Sequence, residues 1–232
     1  DYYSAISDFT KAIEINPNYA DAYYNRGINK KDLKDYYSAI SDFTKAIEIN
    51  PNDALAYYNR GISKNVLKDY NGAISDFTKV IEINPNDADA YYNRGNNKKD
   101  LKDYYSAISD FTKVIEINPN YADAYNKRGY SKFKLKDYYG AISDCTKVIE
   151  INPNDALAYV TRGSAKTLLK DYNGAIADYT KAIKINPNYA STYYSRGIAK
   201  YYLNDFYSAC IDARNSQDLG HDATELINTV CK

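Results

Sequence analysis

The 232-residue sequence has a single histidine, His221, and three cysteines, Cys145, Cys210 and Cys231, which lie far apart and in no CxxC or CxxH spacing. One imidazole can neither build a His-rich metal site nor serve a range of nucleophiles, so His221 is expected as a solvated loop residue and no cofactor is implied. The cysteines are expected as free, mostly buried thiols. That suits a reducing compartment and favours the cytoplasm, with localisation otherwise open. Net charge is also missing, since 30 Lys and Arg balance 30 Asp and Glu. With no overall field to attract nucleic acid or an anionic membrane surface, neither is expected as a partner. No apolar run approaches the roughly 18 residues that a bilayer span requires. The first residue is an Asp rather than a Met before a signal segment, so the chain reads as a fragment from which a targeting signal can be missing. GxxxxGK[ST], GxSxG and GxGxxG are all absent, and no enzymatic activity is expected.

What is present is a repeat. A shift of 34 places aligns Asp1, Asp35, Asp69, Asp103, Asp137, Asp171 and Asp205, and the same shift aligns Pro17, Pro51, Pro85, Pro119, Pro153 and Pro187. A period of this length means one supersecondary unit whose copies bury their apolar faces only by stacking. Between Ala20 and Asp53, Tyr23, Gly27, Lys30 and Leu33 recur at helical spacing, the Lys contributing its methylene stem, and define a helix A. Asp35 then offers an N-cap for a helix B whose stripe is Ala39, Ile40, Phe43, Ala46 and Ile47. Asn50 precedes Pro51, which stops helix B, and Asn52 or Asp53 caps the next helix. Two helices of about 12 to 14 residues with short connections form an antiparallel hairpin. Gly27 lets the pair approach closely. The expected fold is all-α, a solenoid of such pairs in one domain over 1–232. It has a half-repeat at 1–19, repeats at 20–53, 54–87, 88–121, 122–155 and 156–189, a degenerate repeat at 190–221 and a capping helix at 222–231.

Tyr23, Gly27, Ala39, Phe43 and Pro51 sit at the spacing of the tetratricopeptide repeat (TPR), which the chain resembles from residue 1 to about 220, with Tyr in the usual Trp position. The departures recur as well: Arg precedes each of Gly27, Gly61, Gly95, Gly129, Gly163 and Gly197, and Lys follows three places later. Arg26, Arg60, Arg94, Arg128, Arg162 and Arg196 are expected to pair with Asp42, Asp76, Asp110, Asp144, Asp178 and Asp212 of helix B. The resemblance implies an α-α superhelix whose A helices line a concave groove that holds an extended segment or helix of a partner protein. The other reading is an architectural or oligomerisation solenoid with no peptide ligand. Some family members clamp a terminal carboxylate with Lys three and six places before the Gly. Neither position holds Lys here, so that function is not expected.

Residues 1–102 and 103–204 are near-copies that differ at 29 of 102 positions, and 17 of those differences fall in the nine-residue windows around the glycines. Tyr24 becomes Asn126, Ile28 becomes Tyr130 and Lys31 becomes Phe133, a series that shares one helical face. The candidate binding face therefore comprises Tyr24, Asn25, Ile28, Tyr58, Asn59, Ile62, Tyr92, Asn93, Asn96 and Lys99 in the first half. In the second it comprises Asn126, Lys127, Tyr130, Phe133, Lys134, Tyr194, Ile198 and Tyr201. Asn25, Asn59 and Asn93 form an amide ladder, which the resemblance assigns to the backbone of a bound peptide. Lys99, Lys127 and Lys134 suit an acidic group, and the residues beyond suit apolar side chains. Tyr2, Ile6, Phe9 and Ile13 of the half-repeat lack part of their cover, which makes weak self-association a further expectation.

Overall fold

The computed structural model describes residues 1–232, which form fourteen helices and no strand. They fall into two compact units, Asp1–Pro119 and Asn120–Lys232. The first contains α1 (Tyr2–Ile15), α2 (Ala20–Asp32), α3 (Tyr36–Ile49), α4 (Ala54–Val66), α5 (Tyr70–Ile83), α6 (Ala88–Asp100) and α7 (Tyr104–Ile117). The second contains α8 (Ala122–Lys134), α9 (Tyr138–Ile151), α10 (Ala156–Leu168), α11 (Tyr172–Ile185), α12 (Ala190–Tyr202), α13 (Phe206–Asp218) and α14 (Thr224–Val230). Even-numbered helices up to α12 are of the A type, and each packs against the B helix that follows it.

The period sets the helix ends. The carboxylates of Asp35, Asp69, Asp103, Asp137, Asp171 and Asp205 each accept a backbone N–H three residues on, at 2.9–3.3 Å, and so satisfy a donor at the start of helix B. The hydrogen bonds to Ser38 hold the Asp35 carboxyl below its usual range. Between A and B the chain turns through a left-handed residue at Lys34, Lys68, Lys102, Lys136, Lys170 and Asn204, with φ of 62–65°. The following Asp N–H then reaches back into helix A, as from Asp35 to the Lys30 carbonyl at 2.9 Å.

Two devices lock A to B. The first is steric: a Cβ on Gly27 would lie 2.8 Å from the Phe43 ring, and one on Gly95 would lie 2.9 Å from Phe111. Absence of a side chain is what lets the ring of helix B seat against the backbone of helix A, and Phe43, Phe77 and Phe111 are fully buried there. The second is ionic. Arg26 donates through Nε and Nη2 to the two oxygens of Asp42 at 2.9 and 2.7 Å, while Lys30 Nζ reaches the same carboxylate at 2.8 Å. The Asp is almost fully buried and its cations about four-fifths so. Arg26 Nη1 donates to Thr10 of α1 at 3.0 Å, and its guanidinium lies over the Tyr23 ring at 5.6 Å. The expected Arg–Asp pairs thus form in all six repeats. The Lys column does more than lend a stem, since it closes each pair into a triad.

The last hairpin is built differently. Ala213 occupies the place of Phe43 in α13, and Leu226 of α14 fills the gap instead, 3.0 Å from a Cβ built on Gly197. Ala209, Ala213, Ala223, Leu226 and Val230 make one buried cluster. Cys210 and Cys231 are joined by a disulfide with their Cα atoms 5.0 Å apart, which corrects the expectation of three free thiols. A pairing across 21 residues of chain depends on the fold of α13 and α14 and leaves no local spacing signal. Cys145 is the one free thiol. It fills a Phe position, fully buried, and burial together with neighbouring Asp144 pushes its pKa up to about 12. Iodoacetamide at pH 8 should therefore leave Cys145 unmodified in the folded chain and label it promptly in urea, as read by mass spectrometry. Because the folded value is the higher one, the thiol's contribution to stability is full below about 9 and is lost as pH climbs toward 12.

Thr192 stands where Ala22, Ala56, Ala90, Ala124 and Ala158 stand in the other A helices, fully buried and with no hydrogen-bond partner for its Oγ1. An orphaned buried hydroxyl costs about 1–3 kcal/mol. Thr192→Ala should raise the unfolding free energy of the second unit by about 1 kcal/mol in a denaturant titration.

Candidate functional site

The face turned away from the triads in α2, α4, α6, α8 and α12 carries the sequence-derived site residues, and none of them is in the core. In the first unit Tyr24, Tyr58 and Tyr92 are half-buried, each with its ring 5.6–6.0 Å from the Phe that closes its own hairpin. Asn25, Asn59 and Asn93 lie beside them, also half-buried, with Ile28, Ile62 and Asn96 one turn on. Successive A helices are cross-linked through this face. Asn59 Nδ2 donates to the Tyr24 hydroxyl at 3.2 Å, and Asn93 Nδ2 to the Tyr58 hydroxyl at 3.0 Å. Each Asn also donates to the carbonyl four residues back, at 2.8–2.9 Å, and Asn25 does the same. The amides of Asn59 and Asn93 each have two acceptors and that of Asn25 has one, so the ladder presents mainly oxygen. Asn59 Oδ1 already accepts from Lys31 at 2.8 Å. Burial, aided by Asp53 at Tyr24 and by Asp89 at Tyr58, raises the pKa of both phenols, which therefore keep their protons.

In the second unit the same face changes chemistry. Asn126 replaces the Tyr and reaches Asp155, the N-cap of α10, at 2.8 Å. Lys127 is half-buried, while Tyr130 and Lys134 are exposed, with the Lys134 ammonium 5.2 Å from the centre of the Tyr130 ring. Phe133 packs edge-on against Tyr138 at 5.6 Å. Tyr194, Ile198 and Tyr201 stand together on α12 but give part of their surface to the C-terminal cluster. His221 corrects the solvated-loop expectation, since it is half-buried with its ring against Tyr194 at 5.2 Å. A shallow, mostly apolar hollow of about 240 Å³ opens beside Tyr194 and Ile198, lined also by Ser164, Leu168 and Tyr179. Ser164 and Ser195 are the small residues that open it, at positions where the first half has Ile62 and Asn93. Lys99, in the first unit, is paired with Asp100.

One column in the variable windows is not part of this face. Ser63, Asn97, Ser131, Ala165 and Ala199, two places after the glycines, are fully buried, and Asn97 Oδ1 accepts from Asn65 Nδ2 at 2.8 Å. Part of the change between the two halves is therefore packing change.

The stacked hairpins, capped by Asp and locked by Gly and an Arg–Asp–Lys triad, define a helical-repeat protein. Residues 20–53, 54–87, 88–121 and 122–155 match the tetratricopeptide repeat family model, and residues 163–204 match a further TPR repeat model. The chain belongs to the tetratricopeptide repeat family, and its repeats make it a protein-interaction scaffold. No curated protein matches it. Among solved structures it is similar to YrrB, described as a TPR protein with an unusual peptide-binding site, at 26% identity over 79% of this chain and 95% of that one, with a TM-score of 0.73. It is similar to MamA at 26% identity over 74% and 94% of the two chains, with a TM-score of 0.70. The C-terminal part of a TPR repeat-containing protein from Cytophaga hutchinsonii shares the fold at 21% identity, covering 98% and 93%, with a TM-score of 0.79. No helix is long and apolar enough to cross a membrane.

Proposed function

We propose that the exposed face of the A helices binds an extended segment of a partner protein. The observation that carries this is a division of labour within each A helix. Arg, Gly and Lys are invariant and packed against helix B, whereas the opposite face is half-exposed, rich in Tyr and Asn, and free to vary between the two halves. Tyrosines held by their rings and by Asn–Tyr bridges offer contact area at little further entropic cost, which favours recognition. The Oδ1 atoms of Asn25 and Asn93 are acceptors suited to peptide N–H groups, each worth about 1 kcal/mol net. Lys127 and Lys134 suit an acidic side chain, and Phe133, Tyr194, Ile198 and Tyr201 suit apolar ones. A peptide-binding site in YrrB, at 26% identity, is consistent with this reading.

The test is capture of a partner by the intact chain, mapping of the bound segment, and titration of that peptide. Lys127→Glu and Phe133→Ala should each weaken it about tenfold, the range of a central contact in a small interface. Unchanged affinity in both variants would remove the placement.

A further inference from the structure

Four of the changes between the two halves fall at one place. Shifted by 102, Tyr58, Ile62, Phe77 and Asn93 become Val160, Ser164, Tyr179 and Ser195. In the first half these side chains close the A-helix face, with Asn93 Nδ2 on the Tyr58 hydroxyl at 3.0 Å and the Tyr58 ring 5.6 Å from Phe77. Both ends of that bridge are lost together in the second half, and Ser164 and Ser195 are each the smallest of the six residues in their columns. The space released is the hollow of about 240 Å³ lined by α10, α11 and α12. These helices are flanked by α9 and α13, so the hollow is opened by change of side chain and not by a missing neighbour. Tyr179 keeps the seat that Phe77 has: a Cβ on Gly163 would lie 2.9 Å from its ring, as one on Gly61 would lie 3.1 Å from Phe77. What the change adds is a hydroxyl at the floor of the hollow.

The hydroxyls around it are unevenly paired. Thr167 Oγ1 donates to the Gly163 carbonyl at 2.9 Å, so it meets the Tyr179 hydroxyl, 3.2 Å away, as an acceptor. Tyr179 has one hydrogen to give, to Thr167 or to Ser164 Oγ at 3.2 Å. Ser195 donates to the Ser191 carbonyl at 3.0 Å and keeps its lone pairs. The Ser164 hydrogen alone has no acceptor in the chain. We propose that the hollow takes a tyrosine side chain of the bound segment, its ring against Leu168, Tyr194 and Ile198 and its phenol on the hydroxyl floor. This rests on the A-helix face being the segment-binding surface and names one residue that the segment carries. A phenol both accepts, from Ser164, and donates, to the spare lone pairs beside it. Phenylalanine suits the same walls but seals the Ser164 hydrogen away from water unpaired, which is costly. A carboxylate or an ammonium would be desolvated with no opposite charge among the lining residues.

The probe is N-acetyltyrosinamide, titrated into the 232-residue protein and followed by NMR, with N-acetylphenylalaninamide in parallel. Saturable shifts are expected at Ser164, Leu168 and Ile198, with the tyrosine probe about tenfold the tighter, as for one buried donor left unpaired. Ser164→Ala removes the donor without filling the space and should make the two probes equal. Ser164→Ile restores the residue that stands at 62 and should abolish binding of both while the thermal melt stays that of a folded chain. The segment mapped after partner capture should carry a tyrosine. Equal affinity of the two probes for the unsubstituted chain, no saturation by N-acetyltyrosinamide up to its solubility, undiminished binding to Ser164→Ile, or a captured segment without tyrosine would each overturn the assignment. None of these results touches the wider reading, whose failure shows in Lys127→Glu and Phe133→Ala, residues outside the hollow.

Discussion

Asp76→Ala is expected to lower the unfolding free energy by about 3–5 kcal/mol, because it removes one partner from a buried ionic triad and leaves the others behind. Asp76 is 2% exposed and takes Arg60 Nε at 3.0 Å, Arg60 Nη2 at 2.7 Å and Lys64 Nζ at 2.8 Å. Without the carboxylate, two cations lie in a pocket with only the Thr44 hydroxyl and the Tyr57 ring to hold Arg60. The triad as a whole adds little net stability over an apolar packing of the same volume, since desolvating three charges offsets most of their attraction. Its single deletions are what hurt. The control is the exposed Lys79–Glu82 pair, 2.6 Å long but more than half open to water, where Glu82→Ala should leave the urea midpoint unchanged. Urea titrations followed by circular dichroism read both. A loss below about 1 kcal/mol for Asp76→Ala would mean that water reaches the site.

The features that repeat were the ones legible in sequence. A period of 34 residues multiplies each weak signal sixfold, so the Asp caps, the Gly–Phe seat and the Arg–Asp columns stand out from a single chain. All three are contacts within one hairpin, where residue separation is fixed at 16 between Arg26 and Asp42. What escaped is of two kinds. Contacts between neighbouring repeats, such as the Tyr24–Asn59 bridge, depend on side-chain rotamers and on how A helices stack, and the sequence shows only that both columns exist. Hence the amide ladder could be placed on the candidate face while the engagement of its N–H groups could not. Features that occur once have no column to reveal them. Ile40 recurs at 74, 108, 142 and 176 before Cys210 breaks the series, and Phe43 gives way to Ala213 in the same helix. Read together, those two breaks were the available sign that the last hairpin packs against something other than another repeat.

That remodelled end supports the second large effect. Cys231→Ser, or a dithiol reductant, should release α14 while leaving the rest of the fold in place. The helix has seven residues, too few to persist alone in water, and holds Leu226 and Val230 in a cluster otherwise made of three alanines. Closing the 21-residue separation between Cys210 and Cys231 is worth about 3 kcal/mol in chain entropy, or roughly a hundredfold in the opening equilibrium. Amide protection of Ile227 and Cys231, whose N–H groups bond to Ala223 and to Ile227, should fall by about that factor in hydrogen exchange. With Leu226 gone the gap beside Gly197 has no ring to refill it, because Ala213 cannot reach where Phe43 reaches in the hairpin of α2 and α3. α12 and α13 should therefore loosen next, by a smaller factor, and α2 to α6 should be unaffected, since each repeat is stabilised by its immediate neighbours. Protection of α14 within about threefold of the oxidised value would show that Leu226 and Val230 hold the cap without the disulfide, and that the alanine-lined seat is tighter than its lost ring implies.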